Sequence, residues 1–266
     1  MLTARRALSL NISAGAELPR VPALRKLYEY GVRPRQGEQI MIAGRSGTQK
    51  SGFALWWTLQ MNLPTLYFSA DMSPFQASAR TASCLMGETT ESVEIGMRDA
   101  RVRAEYMERL KDCNISFSFG SPIRWANVEQ ELNAYVETWN SYPNIIVIDN
   151  LMDVEYAESD YTEQMNVMQS LHDLGRETGM NQLVLHHASD KSMNARSDPY
   201  SPPGRDEIKN GLGEKPELVL GVALDPHNQD YRIAPLKQRM GKCDPTGRSF
   251  VVMKAVPELT RFEDMP

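Results

Sequence analysis

Short runs of apolar side chains, each bounded by turn-forming residues, recur at 39–43, 65–69, 115–119, 144–148, 182–186, 218–224, 231–236 and 250–255. Runs of this length predict buried β-strands. Between the early ones, helical patterns run over 50–61, 74–86, 98–111, 125–140 and 162–178. Strand alternating with helix predicts an α/β domain, a twisted, mostly parallel sheet flanked by helices. The late strands are joined by connections too short for crossover helices, which predicts an antiparallel C-terminal edge. Segments 151–162 and 188–214 fit neither period and are expected as mobile loops. The second is rich in Pro, Gly and Ser, and its basic residues Lys191, Arg196, Arg205 and Lys209 alternate with acids. A long loop of that kind within a compact domain is usually functional or disordered.

Composition narrows the class. The 266 residues are 41% hydrophobic and 24% charged, close to the globular average, which excludes wholesale disorder. No apolar run approaches the ~18 residues of a membrane span. Ala7-Leu8-Ser9-Leu10 is too short for a secretory apolar region. The three cysteines, Cys84, Cys113 and Cys243, are scattered, which argues against a disulfide framework or zinc knuckle and for a reducing, cytoplasmic setting. Charge is uneven. Residues 1–36 carry Arg5, Arg6, Arg20, Arg25, Lys26, Arg33 and Arg35 against Glu17 and Glu29, a local +5 in a chain of net −5. The split predicts a basic N-terminal arm or linker over 1–36 that meets nucleic acid or a neighbouring acidic subunit, and a main domain over 37–266.

The chemistry begins after the first strand, at Gly44-Arg45-Ser46-Gly47-Thr48-Gln49-Lys50-Ser51. The phosphate-loop pattern is G-x-x-x-x-G-K-[ST] between a strand and a helix. Its backbone N–H groups wrap a polyphosphate, the Lys reaches the β- and γ-phosphates, and the hydroxyl completes the Mg²⁺ shell. Gln49 stands where the pattern has Gly, and a side chain strains the loop if that position needs a glycine-type backbone. A second carboxylate, Asp149, ends the apolar run Asn144-Ile145-Ile146-Val147-Ile148, as a Walker B strand does. There it would hold Mg²⁺ with Ser51. Taken alone, the run also fits an ordinary strand and polar turn.

These and further motifs resemble the DnaB-type replicative helicases among the RecA-like P-loop ATPases. Residues 43–51 resemble the family's A-R-P-G-M-G-K-T loop, Leu66-Tyr67-Phe68-Ser69-Ala70-Asp71-Met72-Ser73 its F-S-L-E-M-S motif, and VIDNLM over 147–152 its V-I-D-Y-L-Q. LKQRMG over 236–241 resembles K-x-R-N-G, and PELTRFE over 257–263 the closing strand and turn. The match spans about residues 21–263 in order. It leaves no room for the family's N-terminal domain, so a stand-alone core of the kind a bacteriophage carries is expected. The resemblance implies ATP and Mg²⁺ as ligands. It further implies Asp71 as the carboxylate polarising the attacking water, His187 as γ-phosphate sensor in place of Gln, and Lys237 and Arg239 as a basic pair inserted into the neighbouring subunit's nucleotide. Asp71 is one methylene shorter than the family's Glu. With Gln49 and His187 it predicts slow ATP turnover.

Other readings stand beside this one. His186 and His187 close a strand near Asp149, Asp153 and Asp190, a set that could bind a divalent metal for phosphodiester hydrolysis. Of Trp56 and Trp57, one is expected in the core and one over a seam, and the scattered methionines are expected as core filler. The expected protein is thus an ATP-hydrolysing motor on single-stranded or branched DNA, assembled as a homo-oligomeric ring, most simply a hexamer, or a filament. The alternatives are a metal-dependent structure-specific nuclease and a non-catalytic DNA-binding loader.

Overall fold

The computed structural model describes residues 15–155, 161–189, 198–239 and 241–265. Strands β1 (Gln39–Gly44), β2 (Thr65–Ser69), β3 (Ile115–Phe119), β4 (Ile145–Asp149) and β5 (Asn181–His187) alternate with helices, and β6 (Leu218–Asp225), β7 (Asp230–Gln238), β8 (Val251–Val256) and β9 (Arg261–Asp264) follow. They form one nine-stranded sheet in the order β3-β2-β4-β5-β1-β6-β7-β8-β9. Pairing is parallel from β3 to β6 and antiparallel from β6 to β9, as the connection lengths require.

The period of two sorts the strands' side chains onto two faces. Ile40 and Ile42 of β1 face one core with Tyr67, Val147 and Leu185. Met41 and Ala43 face the other with Phe68, Ile148 and Val184. Because both faces are covered, strands such as β4 read as unbroken apolar runs. The helices are α1 (Arg25–Tyr30), α2 (Lys50–Met61), α3 (Pro74–Met86), α4 (Thr90–Gly96), α5 (Ala100–Leu110), α6 (Trp125–Trp139) and α7 (Tyr161–Thr178). α1, α2 and α3 cover the first face, and α6 and α7 the second. Helix α2 carries an aromatic cluster in which Phe53 meets Trp56, Trp57, Tyr231 and Phe262 at ring-centroid distances of 5.1–5.8 Å. Trp56 and Trp57 are both buried, so neither covers a seam. Among the described residues, no helix is long and apolar enough to cross a membrane.

Three expectations are corrected. Residues 15–36 are packed onto the domain: Val21, Leu24, Leu27 and Val32 are buried in the same core as β1, because they follow a helical period that the surrounding charges obscure. Only residues 1–14 of the expected arm, with Arg5 and Arg6, lie outside the described residues. The described part of segment 188–214 is packed onto the domain, with turns over Arg205–Glu207 and Lys209–Glu214 and with Ile208 and Leu212 buried in the second core. Its Lys191 and Arg196 lie outside the described residues. In segment 151–162, Leu151 and Val154 are core residues, and 156–160 lie outside the description.

Candidate functional site

β1 leads directly into the loop 44–49, and α2 opens on Lys50, so the amides of its first turn face that loop. A Cβ on Gly44 would meet Thr48 Oγ1 at 2.7 Å and the Val222 carbonyl oxygen at 2.8 Å, so glycine alone fits. Gly47, at φ +75°, has open space where a Cβ would lie. Gln49 takes φ 58° and ψ 30°, the left-handed region, where a side chain costs about 1–2 kcal/mol.

Lys50 is buried, and its ammonium donates to the carbonyl oxygens of Gly44 at 3.0 Å and Arg45 at 2.9 Å. The Ser51 hydroxyl donates to Asp149 Oδ1 at 3.0 Å, and the Tyr67 hydroxyl donates to Asp149 Oδ2 at 2.8 Å. Burial pushes the Asp149 carboxyl above its ordinary range, and the two hydroxyl donors oppose that shift. Desolvation pushes the Tyr67 phenol far up, so Tyr67 stays a donor.

A cavity of about 230 Å³ joins these groups, lined by residues 46–52, Asp71, Arg80, Asp149, Asn150 and His187. It lies at the carboxyl ends of adjacent parallel strands, where ligands gather in such sheets. Asp71 stands exposed in the bend after β2, and His187 ends β5 in register with Gly44. Arg80, on α3, is a residue that sequence reasoning misses. Nothing in its local pattern marks it, and only the fold brings α3 alongside the phosphate loop.

Arg45, His186 and Asp153 do not line this cavity, and Lys237 and Arg239, expected at a neighbouring subunit's nucleotide, lie away from it. Arg45 turns its side chain away, toward Glu207 and Ser201, and lends only its carbonyl to Lys50. Lys237 and Arg239 lie at the other end of the sheet: Gln238 pairs with Leu218, which pairs with Ile40 at the start of β1. From Ile40 to Gly44 is roughly 13 Å of strand. Lys237 donates to the Glu214 carbonyl, and Arg239 pairs with Glu217 at 3.0 Å. The acidic and histidine edge expected for a nuclease is split by strand alternation. His186 points away from His187, bonds the Lys209 carbonyl at 3.1 Å, and is pushed down to about 4 by burial. The Asp153 carboxylate accepts from the Asn150 backbone N–H at 3.4 Å. Among the described residues no three His, Cys, Asp or Glu side chains are grouped to hold a metal, and Asp190 lies outside them.

The site nonetheless fits a nucleotide with its metal. The Ser51 and Asp149 oxygens are hard donors of the kind Mg²⁺ takes, and the open cradle at Gly47 before a helix N-terminus suits a polyphosphate.

Relatives of this chain are found among phage proteins. The Gene 65 protein of Mycobacterium phage L5 is 30% identical over 271 residues, covering 99% of both chains. The chain belongs to the Gene 65 protein family. The Gene 65 protein of Mycobacterium phage D29 is 28% identical over 232 residues, covering 85% of this chain and 98% of its own length. No protein-family profile matches. Among solved structures, an isolated ATPase domain superposes with a TM-score of 0.76 at 16% identity, covering 98% of this chain and 96% of that one. A DnaB-like replicative helicase, solved for its interactions with primase, superposes at 0.78 with 16% identity, covering 99% and 66%. The fold of this chain is therefore RecA-like, as in the DnaB-like ATPase domains it superposes on.

Proposed function

We propose that this Gene 65 family member is a phage-encoded, ATP-binding and ATP-hydrolysing motor that acts on single-stranded or branched DNA. It would be of the helicase, translocase or recombination type and assemble as a hexameric ring or a filament. The observation that carries this reading is the convergence of Lys50, Ser51, Asp149, Asp71 and His187 on one cavity at the N-terminus of α2. The fold shared with helicase ATPase domains supports it.

The roles are those the resemblance implies, and the placement of these residues around the cavity supports them. The α2 amides and Lys50 would hold the phosphates. Ser51 and Asp149 would hold Mg²⁺, which when bound supplies neutralising charge for the phosphate oxygens. Asp71 would accept a hydrogen bond from the attacking water, and His187 would contact the γ-phosphate. Arg80 adds a cation to the same wall. Lys237 and Arg239, at the far end of the sheet, would serve a neighbouring subunit's nucleotide. A loader with little turnover is the second reading. It draws support from the left-handed Gln49 and from Asp71, shorter than the glutamate of the resembled helicases.

ATP hydrolysis with Mg²⁺, measured with and without single-stranded DNA, tests the motor against the loader. Wild type should turn over ATP and respond to DNA. Lys50→Ala should fold and lose ATP affinity at least about tenfold, because a charge-assisted contact is removed. Undiminished affinity in that variant would overturn the assignment.

A further inference from the structure

Tyr67 is fully buried in the first core, with its ring 5.4 Å from that of Phe117. A phenylalanine would fill the same apolar space, so what tyrosine adds is one buried hydroxyl. Strand register decides where that hydroxyl goes. β2 runs parallel to β4 with Ser69 opposite Asp149, so Tyr67 lies on the face of Asp149 but one alternation behind it. The gap along the strands is roughly 6.6 Å, which a tyrosine spans and a serine or threonine does not. The Tyr67 hydroxyl donates to Asp149 Oδ2 at 2.8 Å, while Oδ1 takes the Ser51 hydroxyl at 3.0 Å.

The two donors differ in what they can give up. Ser51 is half-buried and lines the cavity, so it can turn its proton away and offer its oxygen to a cation. Tyr67 is fully buried and does not line the cavity, so no water would replace the carboxylate if the hydroxyl let go. Oδ2 is therefore committed to Tyr67, and Oδ1 is the oxygen that the cavity can use. A carboxylate with one oxygen free ligates through that oxygen alone. This suits Mg²⁺, which is small and demands near-octahedral geometry. It handicaps Ca²⁺, which is larger, takes more ligands and gains from carboxylates that use both oxygens.

We propose that Tyr67 is a positioning residue that commits Asp149 to a single metal-facing oxygen and thereby biases the nucleotide site toward Mg²⁺ over Ca²⁺. The inference rests on the nucleotide and metal assignments of the proposed function. It adds a determinant of metal choice that lies outside the cavity.

The test reads binding of a fluorescent ADP analogue while Mg²⁺ or Ca²⁺ is titrated, in wild type and in Tyr67→Phe. Wild type should reach half-saturation at a Mg²⁺ concentration at least about fivefold below that of Ca²⁺. In Tyr67→Phe the Mg²⁺ requirement should rise about tenfold, and the Ca²⁺ requirement less than about threefold. Added to Asp149→Asn, the same change should weaken Mg²⁺-supported binding less than about twofold, because the hydroxyl acts only through that carboxylate. A hydroxyl that merely stabilises the core would lower Tm and leave the metal preference intact, and an intact preference overturns the inference. So does a wild-type protein that responds equally to the two metals, and this measurement decides if Tyr67→Phe does not fold. Failure of wild type to bind the analogue with either metal, or binding that needs neither, overturns the proposed nucleotide and metal site, and the inference with it.

Discussion

Ser51 and Asp149, 98 positions apart in sequence, meet through a 3.0 Å hydrogen bond between the first turn of α2 and the end of β4. Tyr67 holds the second carboxylate oxygen, so the first is left oriented toward the cavity with the hydroxyl beside it. Asp149→Asn keeps the shape and removes the charge. Nucleotide affinity should fall at least about tenfold when Mg²⁺ is present and change little when it is chelated. Folding stability should hold or rise, because a desolvated carboxyl is gone. Titration calorimetry with and without Mg²⁺ checks this, and an equal loss in both arms would remove Asp149 from the metal site.

Gln49 sits at φ 58°, so Gln49→Gly should stabilise the folded protein by about 1 kcal/mol. Joined with Asp71→Glu, which adds a methylene of reach, it should raise ATP turnover several-fold. A double variant that melts higher but hydrolyses no faster would show that the loop strain is real and does not limit turnover.

Arg239 lies at the end of the sheet opposite Lys50, where its exposed guanidinium pairs with Glu217. Arg239→Ala and Lys50→Ala subunits should each be inactive alone. Mixed, they should recover part of the ATPase rate, because some interfaces then join an intact Lys50 to an intact Arg239. Full activity in a protein that light scattering shows to be monomeric with ATP and DNA would sink the role across subunits.

His186 is fully buried, and burial lowers its pKa from 6.5 to about 4. The folded state keeps the ring neutral while the unfolded chain takes up a proton near pH 6.5. The associated stability is therefore complete above pH 6.5 and lost as pH falls toward 4, amounting to about 3 kcal/mol. Denaturant unfolding at about pH 7 and about pH 4 should show wild type losing roughly that much more than His186→Gln. Equal losses would place the acid sensitivity elsewhere.

The sequence discloses those elements whose ends carry their own chemistry. α3 starts at Pro74 because Ser73 and Gln76 cap each other, and α2 ends where Asn62 takes the left-handed conformation. Both helices, and strands β2 and β3, match the expected bounds to the residue. α4 is invisible for the opposite reason, since it buries Val93 alone and shows no period. α1 does have one, in Leu27 and Tyr28 with Leu24 just before it, but its charged neighbours read as an arm. For the site, spacing gives the loop 44–51 and Asp149. The convergence of Asp71 and His187, the arrival of Arg80 and the turning away of the Arg45 side chain all depend on strand order and tertiary packing, which local pattern does not encode.

The sheet carries Lys50 at one end and Arg239 at the other. A head-to-tail assembly that brings the two together joins unlike faces. A closed ring has as many complete sites as subunits, whereas an open filament always has one fewer. Such a filament has chemically distinct ends, one exposing a phosphate loop without its cation and the other a cation without its phosphate loop. Direction along a bound strand would then be inherited from the asymmetry of each subunit.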